Sequence, residues 1–356
     1  MRLNTCVVSL AMGVFLLSGP GANAQPARAW EIEVHGGGAV PSTPLDGTGE
    51  LPPEQALVPP NSTRPVSSWY FGDGTRQLNL LASVRRTAPL VPLDSTLQSS
   101  IVERPSAGVF GVRVSRRIST RISAELSIDS AAFAVSLTDD ARLALEASHA
   151  SFVTALGDFF TLPMGSRTVN STLAISEGDA RQIVTTGAVR FDLMPDRRWT
   201  PYVIGGLGVN STQADDVRAV LTGTYEVVLS NLPPTPATFS QADTLTLTSH
   251  VDSALVWLFG GGVRLPLGDR WGLRVDVRDW VQRNRVTTHV SAAPTLLPPF
   301  SSTTFGAQVS DNPPLIFSGR PSVTSTLSVP ITDFVTFSGD GAAHQLSVTV
   351  GASWRF

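Results

Sequence analysis

The stretch His344-Gln-Leu-Ser-Val-Thr-Val-Gly-Ala-Ser-Trp-Arg-Phe356 decides the fold. Leu346, Val348, Val350, Ala352, Trp354 and Phe356 share one parity. Gln345, Ser347, Thr349, Gly351, Ser353 and Arg355 share the other. Strict alternation marks a strand whose two faces meet different media. The stretch is long for a soluble strand. It is close to the roughly 9–11 residues that cross a bilayer as a tilted strand.

The same alternation recurs upstream. Trp30, Ile32 and Val34 oppose Glu31, Glu33 and His35. Phe110, Val112 and Val114 oppose Gly111, Arg113 and Ser115. Ile122, Ala124, Leu126 and Ile128 oppose Arg121, Ser123, Glu125, Ser127 and Asp129. Val189, Phe191 and Leu193 oppose Ala188, Arg190 and Asp192. The run from Tyr202 to Val209 is a further strand, with glycines on both parities. In the run from Val251 to Leu265, Trp257, Phe259, Val263 and Leu265 oppose Arg264. Trp271, Leu273, Val275 and Val277 oppose Arg274, Asp276 and Arg278. With the closing stretch these make eight strands. Asp279 breaks the pattern, because its parity puts it on the apolar face. A bulge at that point, or a strand already clear of the bilayer, would account for it.

The connections alternate long and short: 41–106, 116–119, 131–181, 194–199, 213–250, 266–270 and 285–342. The long ones are rich in Ser, Thr and Pro. Within them, 76–86 reads as a short ordered or helical piece. Residues 219–229 and 244–248 read as extended, a hairpin projecting above the strands. Transmembrane barrels have short periplasmic turns and longer outer loops. An even strand count leaves both ends of the chain in the periplasm. The expected fold is all-β: a transmembrane up-and-down antiparallel β-barrel with four long extracellular loops.

The first residues agree with that compartment. A basic Met1-Arg2 precedes an apolar run from Val7 to Leu17 and an Ala22-Asn23-Ala24 site. This reads as a secretory signal peptide, 1–24, cleaved after Ala24, leaving 25–356 as the barrel domain. Cleavage would remove Cys6, the single cysteine, so neither a disulfide nor a thiolate metal site is expected. No later run is long and apolar enough for a membrane helix. The net charge of −3 gives no basic footprint for nucleic acid. The expected localisation is the bacterial outer membrane.

The polar parity collects the acids Glu31, Glu33, Glu125, Asp129, Asp192 and Asp276. It also collects the bases Arg113, Arg121, Arg190, Arg264, Arg274, Arg278 and Arg355. Near balance predicts a lumen filled with ion pairs instead of a filter of one sign. An eight-stranded barrel is just wide enough for side chains to fill. The expectation is therefore a plugged lumen. Trp30, Trp199, Trp271, Trp354 and Phe356 fall at the periplasmic strand ends, and Trp257 and Trp280 toward the outer ends. Amphipathic rings prefer the interface. A soluble sandwich would share the alternation, but neither the loop asymmetry nor this placement follows from it.

The barrel stretches resemble the OmpA/opacity family of small outer-membrane barrels. The resemblance rests on Trp30–Gly38, Gly187–Val209, Trp271–Arg278 and the terminal Phe356. It covers about half of the mature chain, and the order and spacing carry it. It is to the barrel alone, with no peptidoglycan-binding domain expected. The loops here are longer than in minimal members. The resemblance implies that Phe356 is the assembly signal read by the outer-membrane insertion machinery, and it points to adhesion through the loops.

Catalytic motifs are not found. His250, His289 and His344 could lie near the outer rim, where a lipid-modifying enzyme would need a Ser/His/acid cluster. His35 and His149 complete the set. A surface histidine without a role is the commoner case. Glu33 and His35 share a face and could bind a metal, but an ion pair is favoured because arginines lie on the same face. The glycine groups open no helix, so they are not phosphate loops. The expected partners are outer-membrane lipid, the assembly machinery and an extracellular ligand or surface. No cofactor, metal or nucleic acid is expected. The expected function is non-enzymatic, in envelope integrity or in surface interaction and adhesion through the loops. The alternatives are a porin-like channel for small solutes and, less favoured, an outer-leaflet lipid-modifying enzyme.

Overall fold

The computed structural model of the chain describes residues 30–41, 47–54, 66–103, 105–159, 165–195, 197–214, 216–229, 237–297 and 332–356. The signal-peptide reading falls on 1–24, outside the described residues. In chain order the elements begin with β1 (Trp30–Pro41), β2 (Gly47–Gly49), α1 (Gly72–Arg85), α2 (Asp94–Leu97) and β3 (Val102–Glu103). Then come β4 (Ala107–Arg117), β5 (Ile122–Leu137), α3 (Asp139–Phe159), β6 (Gly165–Ser176) and β7 (Gly178–Asp192). The chain continues with β8 (Thr200–Ala214), β9 (Val217–Leu229), β10 (Ala237–Val251), β11 (Ala254–Pro266), β12 (Trp271–Leu297) and β13 (Thr332–Arg355).

Eight strands close into an antiparallel barrel in the order β1-β4-β5-β7-β8-β11-β12-β13, and β13 pairs back onto β1. At the seam Glu31 pairs with Arg355 and Val40 with Leu346. The Trp30 and Phe356 backbones exchange hydrogen bonds of 3.3 and 3.0 Å, clipping the last residue to the first strand. Each strand puts one parity outward. Val34, Phe110, Val189, Leu207, Phe259, Trp271 and Val348 are all exposed. The opposite parity is buried and charged, with Arg113, Glu125, Arg190, Arg274, Asp276 and Arg278 at or below 2% exposure. Apolar outside and ionic inside reverses the order of a soluble barrel. A closed barrel also leaves no backbone edge for lipid to desolvate, so the bilayer is the solvent that suits it.

The short connections lie at one end of the barrel and the long ones at the other. The long ones build a second layer, a cap. β12 and β13 run on past the barrel, and β10, β9 and β6 add to β12 in turn, while β2 adds to β13. The hairpin of β9 and β10 therefore joins the cap sheet, and the barrel stays at eight strands. The stretch 131–181, read from sequence as irregular, holds the end of β5, α3, β6 and the start of β7.

α3 forms for local reasons. Thr138 Oγ1 accepts the Ala141 N–H at 3.2 Å as an N-cap, and Asp139 and Asp140 sit in the positive first turn. Ala141, Leu145, Ser148, Phe152, Ala155 and Leu156 are buried at helical spacing. Phe152 stacks on Tyr70 at 5.1 Å between centroids. Around them Trp69, Leu78, Leu90, Leu93, Leu221, Tyr225, Leu245 and Val290 form one apolar core. The cap is folded on its own core.

Candidate functional site

Two layers fill the barrel interior. Nearer the turns is an ionic layer. Arg113 Nη1 donates to Glu33 at 2.7 Å and also to Asp276. Arg274 reaches Glu125 at 2.6 Å and Glu33 and Asp276 at 3.1 Å. Arg278 reaches Glu125 at 2.6 Å and Asp276 at 3.6 Å. Arg190 pairs with Asp192 at 3.2 Å. Arg264 lies 3.4 Å from Glu31 and 3.6 Å from Asp192. Arg355 closes the layer 3.4 Å from Glu31. His35 Nε2 meets Asp129 at 2.5 Å.

Arg121 is a correction to the sequence reading. It lies before β5 begins, exposed in the turn, and is not a lumen residue. Without it, six carboxylates face six guanidiniums in the lumen.

Inward glycines make room for this layer. A Cβ on Gly351 would fall 2.4 Å from Glu33 Oε1, and one on Gly262 would fall 2.3 Å from the Tyr202 hydroxyl. That hydroxyl accepts from Arg274 Nε at 2.6 Å, and the Tyr202 ring lies 4.7 Å below the same guanidinium.

Nearer the cap, the second layer is apolar: Ala39, Val109, Ala131, Val184, Ile204, Val256, Leu258 and Trp280. Amide pairs stitch it, with Gln182 donating to Gln345 at 3.1 Å and Asn210 to Gln282 at 2.6 Å. Trp280 is a second correction, since it points inward at 1% exposure instead of lying at the outer interface. Trp199, Trp257, Trp271, Trp354 and Phe356 are exposed, with Trp354 stacked on Phe356 at 5.3 Å. Trp30 is half-buried, with the Arg116 guanidinium 5.4 Å above its ring.

Asp279 faces outward with no bulge beside it; the register shift comes later, between Thr288 and His289. Its carboxylate meets His344 Nδ1 at 2.8 Å. This polar contact follows Val277 and Leu346 on the outer face and marks where the apolar belt ends on β12 and β13. Glu33 and His35 have separate partners, and no group of three His, Cys, Asp or Glu among the described residues could hold a metal. His250 bridges Asp216 and Asp252, at 2.8 and 3.6 Å, where the hairpin of β9 and β10 leaves the barrel.

The cap core carries a polar cluster that sequence reasoning missed. Asp243, Gly223 and Ser171 stand in one row across β10, β9 and β6. A Cβ on Gly223 would meet the Tyr70 hydroxyl at 2.4 Å, so only glycine fits there. Asp243 is fully buried and accepts from the Trp69 backbone N–H at 2.7 Å and the Ser68 hydroxyl at 3.0 Å. Burial pushes its carboxyl up to about 7, and those two hydrogen bonds hold it from going higher. Tyr225 donates to Gln241 at 2.7 Å beside it. The signal in the sequence was Asp243 itself, an acid within an otherwise Thr/Leu-rich strand.

No family model and no curated protein matches the chain. Among solved structures, the crystal structure of the outer membrane protein OprG from Pseudomonas aeruginosa aligns over 94% of this chain and 99% of that one, at 13% identity and a TM-score of 0.35. The solid-state NMR structure of outer membrane protein AlkL in DMPC lipid bilayers aligns over 95% of each, at 12% identity and a TM-score of 0.38. The translocator domain of autotransporter NalP from Neisseria meningitidis aligns over 99% of this chain and 98% of that one, at 10% identity and a TM-score of 0.23. The class of the chain follows from its own architecture. Eight closed antiparallel strands, apolar outside, ion-paired inside and joined by short turns at one end, make it an outer-membrane β-barrel.

Proposed function

We propose that this barrel is a non-enzymatic scaffold of the OmpA/opacity type. It holds a folded cap at the cell surface for envelope integrity or for surface interaction and adhesion. The observation that carries the reading is the pairing of a filled lumen with a cap that has its own apolar core. A channel has no need of a folded domain of this size, and its interior must hold water. Here the space is taken by paired guanidiniums and by Trp280, Leu258 and Ile204. Long connections on a rigid scaffold are where recognition normally sits. Parts of the connections that are already ordered in the cap core lower the ordering cost of binding a partner.

Single-channel conductance of the refolded protein in a planar bilayer tests this. Silence, or rare small events, is the expected result. Stable large openings would overturn the filled lumen and favour the porin-like reading. The second arm is attachment of cells displaying the chain, compared with cells displaying a Phe152→Asp variant whose cap core is broken while the barrel is kept. Equal attachment would remove the cap from the function.

A further inference from the structure

We propose that the outer wall of the barrel holds a specific site for a phosphorylated outer-leaflet lipid. One acyl chain lies in a groove across β4, β5 and β7, and the phosphate sits on Arg181. Much of the belt presents Val, Ile, Leu, Phe and Trp to lipid. Beside Phe110, the wall falls away to Gly108, Ser130, Ala132 and Ala134, leaving a groove of about 900 Å³. Arg181 of β7 and Gln213 of β8 line its far side.

The register explains the position. Gly108 pairs with Ala132, Ala132 with Arg181, and Arg181 with Gln213, so one row across four strands carries the groove and its polar end. Along β7 the outward residues nearer the turns are uncharged: Ile183, Thr185, Gly187, Val189 and Phe191. Arg181 is the first cation beyond them, at the height where the belt gives way to headgroups. Its side chain is exposed and has no ion-pair partner among the described residues.

A notch in a lipid-facing wall is filled by lipid, because neither water nor a void is stable against apolar side chains there. Small side chains let a chain approach the wall closely and gain dispersion contacts over its length. A planar guanidinium matches a phosphate bidentately, and the Gln213 amide adds a neutral donor. A zwitterionic lipid would bring its own cation to Arg181, so the site favours a lipid whose phosphate is not internally paired. The inference rests on the outer-membrane architecture and stands whether or not the cap binds a partner.

The test is native mass spectrometry of the full chain ejected from phosphatidylcholine nanodiscs doped with lipid A. The expected result is a one-to-one lipid A adduct that falls at least about five-fold in Arg181→Gln and in Ala132→Trp, which fills the groove. Arg121→Gln, an equal loss of charge in the opposite turn, leaves the adduct unchanged. Heat-modifiable migration on gels shows that each variant is folded; Ala134→Leu takes the place of Ala132→Trp if the larger ring prevents folding. Absence of the adduct in the parent protein, or equal adducts in all variants, would overturn the proposal. Equal retention of dephosphorylated lipid A would overturn the phosphate contact at Arg181.

Discussion

The Trp69 backbone N–H donates to Asp243 Oδ2 at 2.7 Å, joining segments 174 residues apart at the centre of the cap. A carboxylate there is fully buried, with the Ser68 hydroxyl and the phenols of Tyr70 and Tyr225 close to it. The cap depends on a group that is costly to ionise.

That makes cap stability pH-dependent, with a definite sign. The Asp243 carboxyl is raised from 3.8 in the unfolded chain to about 7 in the fold. The folded state therefore binds the proton more tightly. The contribution is fully present below about 4 and is lost as pH rises through about 7. The difference is on the order of 4 kcal/mol. Protection factors of amides 66–71, with the intrinsic base-catalysed rise of exchange divided out, should be higher at pH 5 than at pH 8. Asp243→Asn keeps an acceptor and loses the titration, so its exchange profile should be flatter, with the gain in protection at pH 8. Parallel profiles for the two proteins would exclude this role.

Glu125 sits between Arg274 and Arg278, each at 2.6 Å. Glu125→Ala removes the nearest carboxylate from two buried guanidiniums, leaves the lumen one negative charge short, and should cost about 3–5 kcal/mol in reversible unfolding from detergent micelles. Arg121→Ala removes an exposed charge in a turn and should stay within about 0.5 kcal/mol. Similar losses for the two would mean that the ionic layer is not what distinguishes them.

Val348 and Val335 are both exposed valines on β13, at 49% and 43%. Val348 lies within the belt and Val335 lies in the cap. Val348→Arg should cost about 2–4 kcal/mol in lipid vesicles, and Val335→Arg about 0–1 kcal/mol. The comparison measures belt height directly, and equal costs would displace the boundary marked by Asp279 and His344.

Phe356 stacks on Trp354 and hydrogen-bonds Trp30 through its backbone. The resemblance to OmpA/opacity barrels implies that this aromatic is read during assembly, so removing it should reduce insertion in cells far more than refolding in detergent. Gel migration of membrane fractions separates the two effects. Unimpaired insertion would leave the residue a structural role only.

Much of the barrel was legible in the chain. Period-two alternation over strands such as Trp271–Arg278 is local, and the bilayer enforces it at every step, because a wrong parity would put a charge in lipid. Asp279 was legible as an anomaly, but its resolution was not, since His344 is 65 residues away. Arg121 was misplaced because parity gives a facing without saying where a strand begins. The capping residues of α3 were present at Thr138–Asp140, while its buried stripe has meaning only beside Tyr70 and Leu221.

The sequence by itself determined an eight-stranded wall, its two faces and the balance of charge within, because these are properties of spacing and side-chain type. Only the tertiary structure decided which arginine meets which carboxylate, that Trp280 and Leu258 cover the ionic layer, and that four long connections fold into one cap around Asp243. Those contacts join residues far apart in the chain. Their energy depends on volume, depth and mutual distance, and no local pattern records these.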